Sequence, residues 1–65
     1  MVDPNKNDDS GWVPLHMAAE EGQKEVAEIL IESGADLNKC NNREWAPLHI
    51  AAERGQKEVT KLLIN

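Results

Sequence analysis

The apolar residues of this chain fall into short stretches with helical spacing, separated by polar turn residues. Leu15, Ala18 and Ala19 stand at i, i+3 and i+4, which predicts a short amphipathic helix. Pro14 suits the first turn of that helix, and Gly22 suits the residue just beyond its end. Because these apolar side chains are small, the helix can pack closely against a neighbour.

The segment from about 24 to 33 is predicted to form a second helix with a broader apolar face. That face consists of Val26, Ile29, Leu30 and Ile31. Gly34 ends this helix, a polar connector follows, and two further helices are predicted near 47–54 and 57–64. The polar opening at 2–13 is predicted to be a turn-rich loop. Neither helix pair can bury its apolar face alone, so the pairs are expected to stack.

The two helix pairs are copies of one another. Pro-Leu-His at 14–16 returns at 47–49, and Gly-Gln-Lys-Glu-Val at 22–26 returns at 55–59, a spacing of 33 residues (47 − 14). Fourteen of the 22 positions in 11–32 are identical to those in 44–65. The chain is therefore interpreted as an internal repeat.

The repeated unit resembles the ankyrin repeat, through Pro-Leu-His-x-Ala-Ala, Gly-x-x-Glu-Val and the Ser-Gly-Ala-Asp-Leu-Asn at 33–38. The resemblance implies an all-α solenoid of two stacked helix-turn-helix units with β-turn finger loops and no dedicated caps. It divides a single module, 1–65, into a loop at 1–10 like the tail of a preceding repeat, a repeat at 11–43, and a truncated repeat at 44–65. Within that loop, residues 2–5 match 35–38. Protein–protein contact, without catalysis, is the function implied.

Three departures from the family pattern fall in the finger loops. Val13 and Ala46 replace the usual Thr, so the hydrogen bond from its hydroxyl is lost. Glu44 stands where Gly11 supplies the usual glycine, which is unfavourable if that position needs a positive φ. Asn41 replaces the usual Asp. The second finger is therefore the part of the predicted structure that the family pattern supports least.

Composition and charge narrow the functional classes. The net charge of −5 argues against nucleic acid and anionic membranes as partners. No apolar run is long enough to span a bilayer, and the start of the chain lacks the features of a signal peptide. Cys40, alone, forms no disulfide within the chain and is interpreted as a passive loop thiol. It fits a reducing compartment, so a cytoplasmic location is expected if the protein is natural.

A chain of 65 residues needs support beyond its own core, which at this size rarely supplies more than about 3–5 kcal/mol. Without caps, both end faces should expose Leu and Ile that a further repeat would cover. We therefore expect a homo-oligomer, and a finite complex rather than a fibre. Contacts could run through the end faces, the tryptophans, or both.

Trp12 and Trp45 occupy one repeat position, a fingertip that in ankyrin proteins commonly touches the partner. The alternative, that each indole packs on its own loop or on the neighbouring finger, stays open. Other variable positions of the concave surface are predicted to bind a partner. They are Asp9, Ser10, Glu20, Glu21, Asn42, Arg43, Glu53 and Arg54.

The structural positions implied by the resemblance are Pro14, His16, Gly22, Pro47, His49 and Gly55. The two histidines match no zinc-ligand spacing and are expected to bridge to the adjacent loop. We expect no catalytic residue, metal, cofactor or small-molecule substrate. Like positions of the two repeats carry opposite charges: Glu21 corresponds to Arg54, and Glu28 to Lys61. Stacking is expected to bring such pairs near each other, either within the chain or between chains stacked head to tail.

Two other functional classes remain as alternatives to a self-associating interaction module. The near-identity of the repeats suits an engineered or excised scaffold without a natural function. A small hydrolase or metal-binding protein is a distant third. It would need a base and a nucleophile within reach of each other, and no motif supplies them.

Overall fold

A computed structural model describes residues 3–64 of the chain. Within that range it contains four helices and no β-strand: α1 (Pro14–Glu21), α2 (Lys24–Glu32), α3 (Pro47–Glu53) and α4 (Lys57–Ile64). These bounds agree with the predicted ones to within about one residue. Val2 and Asn65, which the sequence assigned to the first loop and to the truncated repeat, lie outside the described residues.

Proline and glycine set the helix ends, as the sequence indicates. Pro14 and Pro47 begin α1 and α3, where the missing N–H costs no helical hydrogen bond. The residue before each proline is extended, with ψ of 167° at Val13 and 164° at Ala46. Gly22 ends α1 in the left-handed conformation, at φ 72°.

The helices form two stacked pairs. α1 packs on α2 and α3 packs on α4, while α1 contacts α3 and α2 contacts α4 across the stack. Ala18, Ala19 and Ala51 are buried between the inner helices, and these small side chains let α1 and α3 approach closely. The core is Val13, Leu15, Ala18, Ala19, Ala27, Ile50, Ala51, Val59 and Leu63.

The opening loop lies beside the equivalent loop of the next unit. Asn5 accepts the Asp36 N–H through Oδ1 at 2.7 Å and donates from Nδ2 to the Gly34 carbonyl at 3.2 Å. Asp3 bonds the Asn5 N–H at 2.9 Å, and Asp36 bonds the Asn38 N–H at the same distance. The two loops thus contain the same side-chain turn, 33 residues apart.

Each helix pair leaves one side of its apolar surface uncovered, because only one pair stands beside it in the described chain. Val26 is 45% exposed whereas its equivalent Val59 is 0% exposed, and Leu48 is 37% exposed whereas Leu15 is 0% exposed. We name the first unit's uncovered side chains the leading face: Met17, Val26 and Ile29. Those of the second unit are the trailing face: Leu48, His49, Ala52 and Ile64.

The predicted apolar face of α2 is therefore only partly buried. Leu30 and Ile31 are half-buried against the core, and Val26 and Ile29 face solvent. The one fully buried side chain of the helix is Ala27, which the predicted face did not include. The physical reason is that stacking covers only the side of α2 that faces α4.

Candidate protein-binding groove

The finger turns, residues 8–12 and 41–45, are closed by matching hydrogen bonds. Asp8 Oδ1 accepts the N–H groups of Ser10 and Trp12, both at 2.9 Å. Asn41 Oδ1 accepts the N–H groups two and four residues further on, at 2.8 and 3.1 Å. The amide oxygen of Asn41 thus accepts the same pair of hydrogen bonds as the carboxylate of Asp8, and the second finger is as regular as the first. The departure at Asn41 therefore leaves the hydrogen bonds of the second finger intact.

The two fingers are held in register by Asn42. Its backbone N–H donates to the Ser10 carbonyl, and its Nδ2 donates to the Asp9 carbonyl, both at 3.0 Å. Gly11 lies at this contact with φ 79°, and Glu44 adopts φ 64° at the equivalent position. The positive φ that the glycine pattern suggested is present in both turns.

His16 connects the first unit to the second finger. It is fully buried, its Nδ1 accepts the Val13 N–H at 3.0 Å, and its Nε2 donates to the Trp45 carbonyl at 2.8 Å. The Val13 backbone N–H thus provides a hydrogen bond to His16 Nδ1, although Val13 lacks the hydroxyl of the usual threonine. His49 Nδ1 accepts the Ala46 N–H at 3.1 Å, but its ring is exposed and its Nε2 makes no hydrogen bond within 3–64.

Both indoles pack on their own repeat and remain half-buried. The Trp12 ring lies 5.6 Å from the His16 ring, tilted by 46°, and the Trp45 ring lies 5.9 Å from the His49 ring, tilted by 51°. Both also contact the core. Packing on the histidine of the same repeat and on the core therefore holds each indole in place and leaves the tryptophan side chain partly exposed.

A groove of about 470 Å³ lies between the fingers and the second unit's inner helix. Its lining is Ser10, Trp12, Asn41, Asn42, Arg43, Trp45, Ile50, Glu53 and Arg54. All of these except Asn41 and Ile50 were predicted to contact a partner, a role that stays a prediction. Asn41 was assigned only to the turn, while Ile50, equivalent to Met17, drew no prediction. The helical offset of Ile50 from Glu53 was the one available signal.

Three predicted contact residues do not line the groove. Asp9 uses its carbonyl to hold Asn42, and its side chain is exposed. Glu20 is half-buried where α1 meets the turn between α3 and α4, and its carbonyl accepts the Gln56 Nε2 at 2.9 Å. The side chain of Glu21 is exposed.

Arg54 pairs with Glu20, not with Glu21. The Arg54 guanidinium lies 2.9 Å from Glu20 Oε2, and the two side chains are 55% and 34% exposed. Within the described chain Glu21 does not form the expected pair with Arg54, because Glu20 is the residue at the contact with the second unit. Among the described residues, no ion pair joins Glu28 to Lys61.

The groove is slightly basic within an acidic chain. Arg43 and Arg54 against Glu53 give its lining a balance of +1 (two bases, one acid), whereas the chain carries −5. Arg54 is already paired with Glu20, so Arg43 is the guanidinium of the lining without an ion pair in residues 3–64. The chemistry of the groove is thus two indole faces, an isoleucine, two guanidinium groups and amide groups. This combination suits an apolar side chain flanked by a carboxylate on a partner surface.

The groove contains no cluster suited to metal chemistry. In the part of the chain that the structure describes, no three His, Cys, Asp or Glu side chains come together as a metal site. Cys40 is exposed, with its Sγ 3.6 Å from the Asn38 carbonyl oxygen. None of the described helices is long and apolar enough to cross a membrane.

Comparison with known proteins decides the family. A family model described as "Ankyrin repeats (3 copies)" matches residues 1–65. The chain belongs to the ankyrin repeat family. The all-α repeat solenoid predicted from the resemblance is confirmed, and the ankyrin match supports a protein–protein interaction module.

Curated relatives match about half of this ankyrin chain. The 26S proteasome non-ATPase regulatory subunit 10 of Dictyostelium discoideum is 48% identical over 33 residues, covering 51% of this chain and 14% of that protein. Protein phosphatase 1 regulatory subunit 27 of Homo sapiens is 43% identical over 35 residues, covering 54% of this chain and 23% of that protein. The aligned region thus covers less than a quarter of either relative.

Proposed function

We propose that this ankyrin module is a non-enzymatic protein-binding unit that associates with copies of itself through its leading and trailing faces. The observation that carries the proposal is the contrast between equivalent residues. Val59 and Leu15 are fully buried by the neighbouring unit, whereas Val26 and Leu48, in the same repeat positions, face solvent.

The size of these faces favours association. Complete burial of a Val, Leu or Ile side chain stabilises by about 1.5–3 kcal/mol. Met17, Val26 and Ile29 on one face and Leu48 and Ile64 on the other are each more than a third exposed. Covering them would add several times that amount before the costs of association, comparable to the whole stability of a domain this small.

Molar mass and thermal stability, measured together over about a hundredfold range of concentration, test this function. We expect the mass to rise above 7.2 kDa and the melting temperature to rise with it, because association stabilises the folded state by mass action. A particle of 7.2 kDa at every concentration, with a constant melting temperature, would refute self-association.

A second candidate function is the binding of another protein in the groove. The part-accessible indoles of Trp12 and Trp45 beside Arg43 and Arg54 favour it, because tryptophan and arginine dominate interface hot spots. Both relatives are named as regulatory subunits, which agrees with a role of this chain in binding another protein. Trp12→Ala and Trp45→Ala distinguish the candidates, since unchanged self-association in both variants leaves the groove free for a different partner.

Origin and location remain predictions. A cytoplasmic location rests on the single thiol at Cys40. The prediction of an engineered scaffold rests on the near-identity of the two repeats, and no contact in residues 3–64 gives it further support.

A further inference from the structure

We propose that a second copy stacks head to tail on the trailing face, 33 residues out of phase, and that Glu21 of the incoming copy sets the strength of this contact. The inference rests on the proposed self-association and specifies its geometry. In this geometry the first unit of the second copy lies on the second unit of the first copy in the same way as the two units of one chain lie on each other.

The polar contacts between the units have counterparts at the open faces. His49 Nε2, without a partner in the described chain, stands where His16 Nε2 donates to the Trp45 carbonyl. It would reach the Trp12 carbonyl of the second copy. Likewise Gln56 donates to the Glu20 carbonyl, so Gln23 of the second copy would donate to that of Glu53.

The backbone contacts between loops also have counterparts. The Asn42 N–H donates to the Ser10 carbonyl, so the Asp9 N–H of the second copy would donate to the Arg43 carbonyl. The Asn5 side chain accepts the Asp36 N–H, so the Asn38 side chain would accept the Asp3 N–H of the second copy. A head-to-tail copy would therefore give these polar groups hydrogen-bond partners, whereas the symmetry of an isologous dimer does not place partners opposite them.

The apolar side chains match in type and size. Leu48 and Ala52 repeat Leu15 and Ala19, and Val26 of the second copy repeats Val59. Met17 and Ile29 would replace Ile50 and Leu62. Exchanges among aliphatic side chains of similar volume are well tolerated in packed contacts.

Two polar positions do not match. The Glu20–Arg54 ion pair would become Glu53 facing Glu21 of the second copy, which exchanges attraction for repulsion. The Asn42 Nδ2 donor would become the carboxylate of Asp9, which has no hydrogen to give. Together with the charge of −5 on every copy, these mismatches keep stacks short at low ionic strength.

Glu21→Arg tests this geometry by replacing the repulsion with an ion pair to Glu53 of the neighbouring copy. We expect the association constant to rise about three- to tenfold at about 0.01 M salt, and the gain to shrink at about 1 M salt, where charges are screened beyond about 3 Å. Sedimentation equilibrium measures the constant, and a circular dichroism melt at low concentration verifies folding.

Glu25→Arg is the matched control. It changes the net charge equally, and its equivalent Glu58 makes no side-chain hydrogen bond or ion pair to the first unit in residues 3–64, whereas Arg54, the equivalent of Glu21, does. The double variant Glu21→Arg with Glu53→Arg should lose the gain, because two arginines would then face each other.

The outcomes separate this geometry from the proposed function. Equal gains from Glu21→Arg and Glu25→Arg, or a gain kept by the double variant, would overturn the head-to-tail register while self-association stands. A wild-type chain that stays at 7.2 kDa in both salts would overturn both proposals. The head-to-tail contact is open and predicts a mass that keeps rising with concentration, in contrast to the finite complex expected from the sequence. A fixed dimer would overturn this open stack.

Discussion

At the scale of single residues, the two finger turns share a positive φ at the same position, but a side chain fits there in one turn and not in the other. Gly11 and Glu44 both have positive φ. A Cβ on Gly11 would lie 2.6 Å from Asn42 Oδ1 and 2.8 Å from the Asn42 backbone nitrogen, whereas Glu44 carries a side chain with room for it. Sequence comparison identifies the departure at Glu44 but does not show that only Gly11 is enclosed by a neighbouring finger.

Gly11→Ala is therefore expected to destabilise the fold by about 2 kcal/mol or more, because it combines a strained φ with a clash against a backbone atom. Gly34→Ala is the control. Its φ is 97° and nothing lies within 4 Å of the added Cβ, so it should cost about 1 kcal/mol from the backbone term alone. Urea unfolding measures both, and equal losses would mean that the contact with Asn42 has no energetic weight.

At the scale of elements, the close approach of α1 and α3 depends on alanines that recur but differ in burial. Ala19 is fully buried between the helices, whereas Ala52, its equivalent in α3, lies on the trailing face. Gln56 and His16 add hydrogen bonds across the same contact. The stack is thus held by small side chains in its middle and by polar bonds at its edges.

Ala19→Leu is expected to destabilise the fold by about 1–3 kcal/mol, because the added volume has no space between α1 and α3. Ala52→Leu should change stability by less than about 0.5 kcal/mol at low concentration, where its side chain meets only solvent. Thermal unfolding of dilute samples compares the two. A similar loss from Ala52→Leu would indicate that the trailing face is covered even in dilute solution.

At the scale of the whole described chain, residues 3–64, the two repeats make one contact with each other and leave two faces open. The contact buries the described core and satisfies its polar groups, since no buried side-chain nitrogen or oxygen in residues 3–64 lacks a hydrogen-bond partner. The open faces carry apolar residues of the same kinds. The balance between this single contact and a further one made with another copy decides whether the protein acts alone.

Val26→Ser is expected to leave the melting temperature of a dilute sample nearly unchanged and to remove most of its rise with concentration, because the leading face loses a central apolar group. Val59→Ser, at the equivalent but buried position, should lower stability by about 2–4 kcal/mol at every concentration. The same concentration-dependent melts measure both. A normal concentration dependence in Val26→Ser would exclude the leading face from the association.

The sequence by itself determined the period, the helix bounds and most of the groove lining. These follow from local signals: proline at each inner helix start, glycine at its end, and variable residues at the same place in each repeat. Only the tertiary structure decided which member of each repeated pair is buried and which charges meet. Leu15 and Leu48 are the same residue in the same motif, yet one is enclosed and the other exposed. Arg54 pairs with Glu20 rather than Glu21. Burial and pairing depend on what lies beside a residue in space. A repeated sequence encodes the same local structure twice, but it does not specify which neighbours each copy will have.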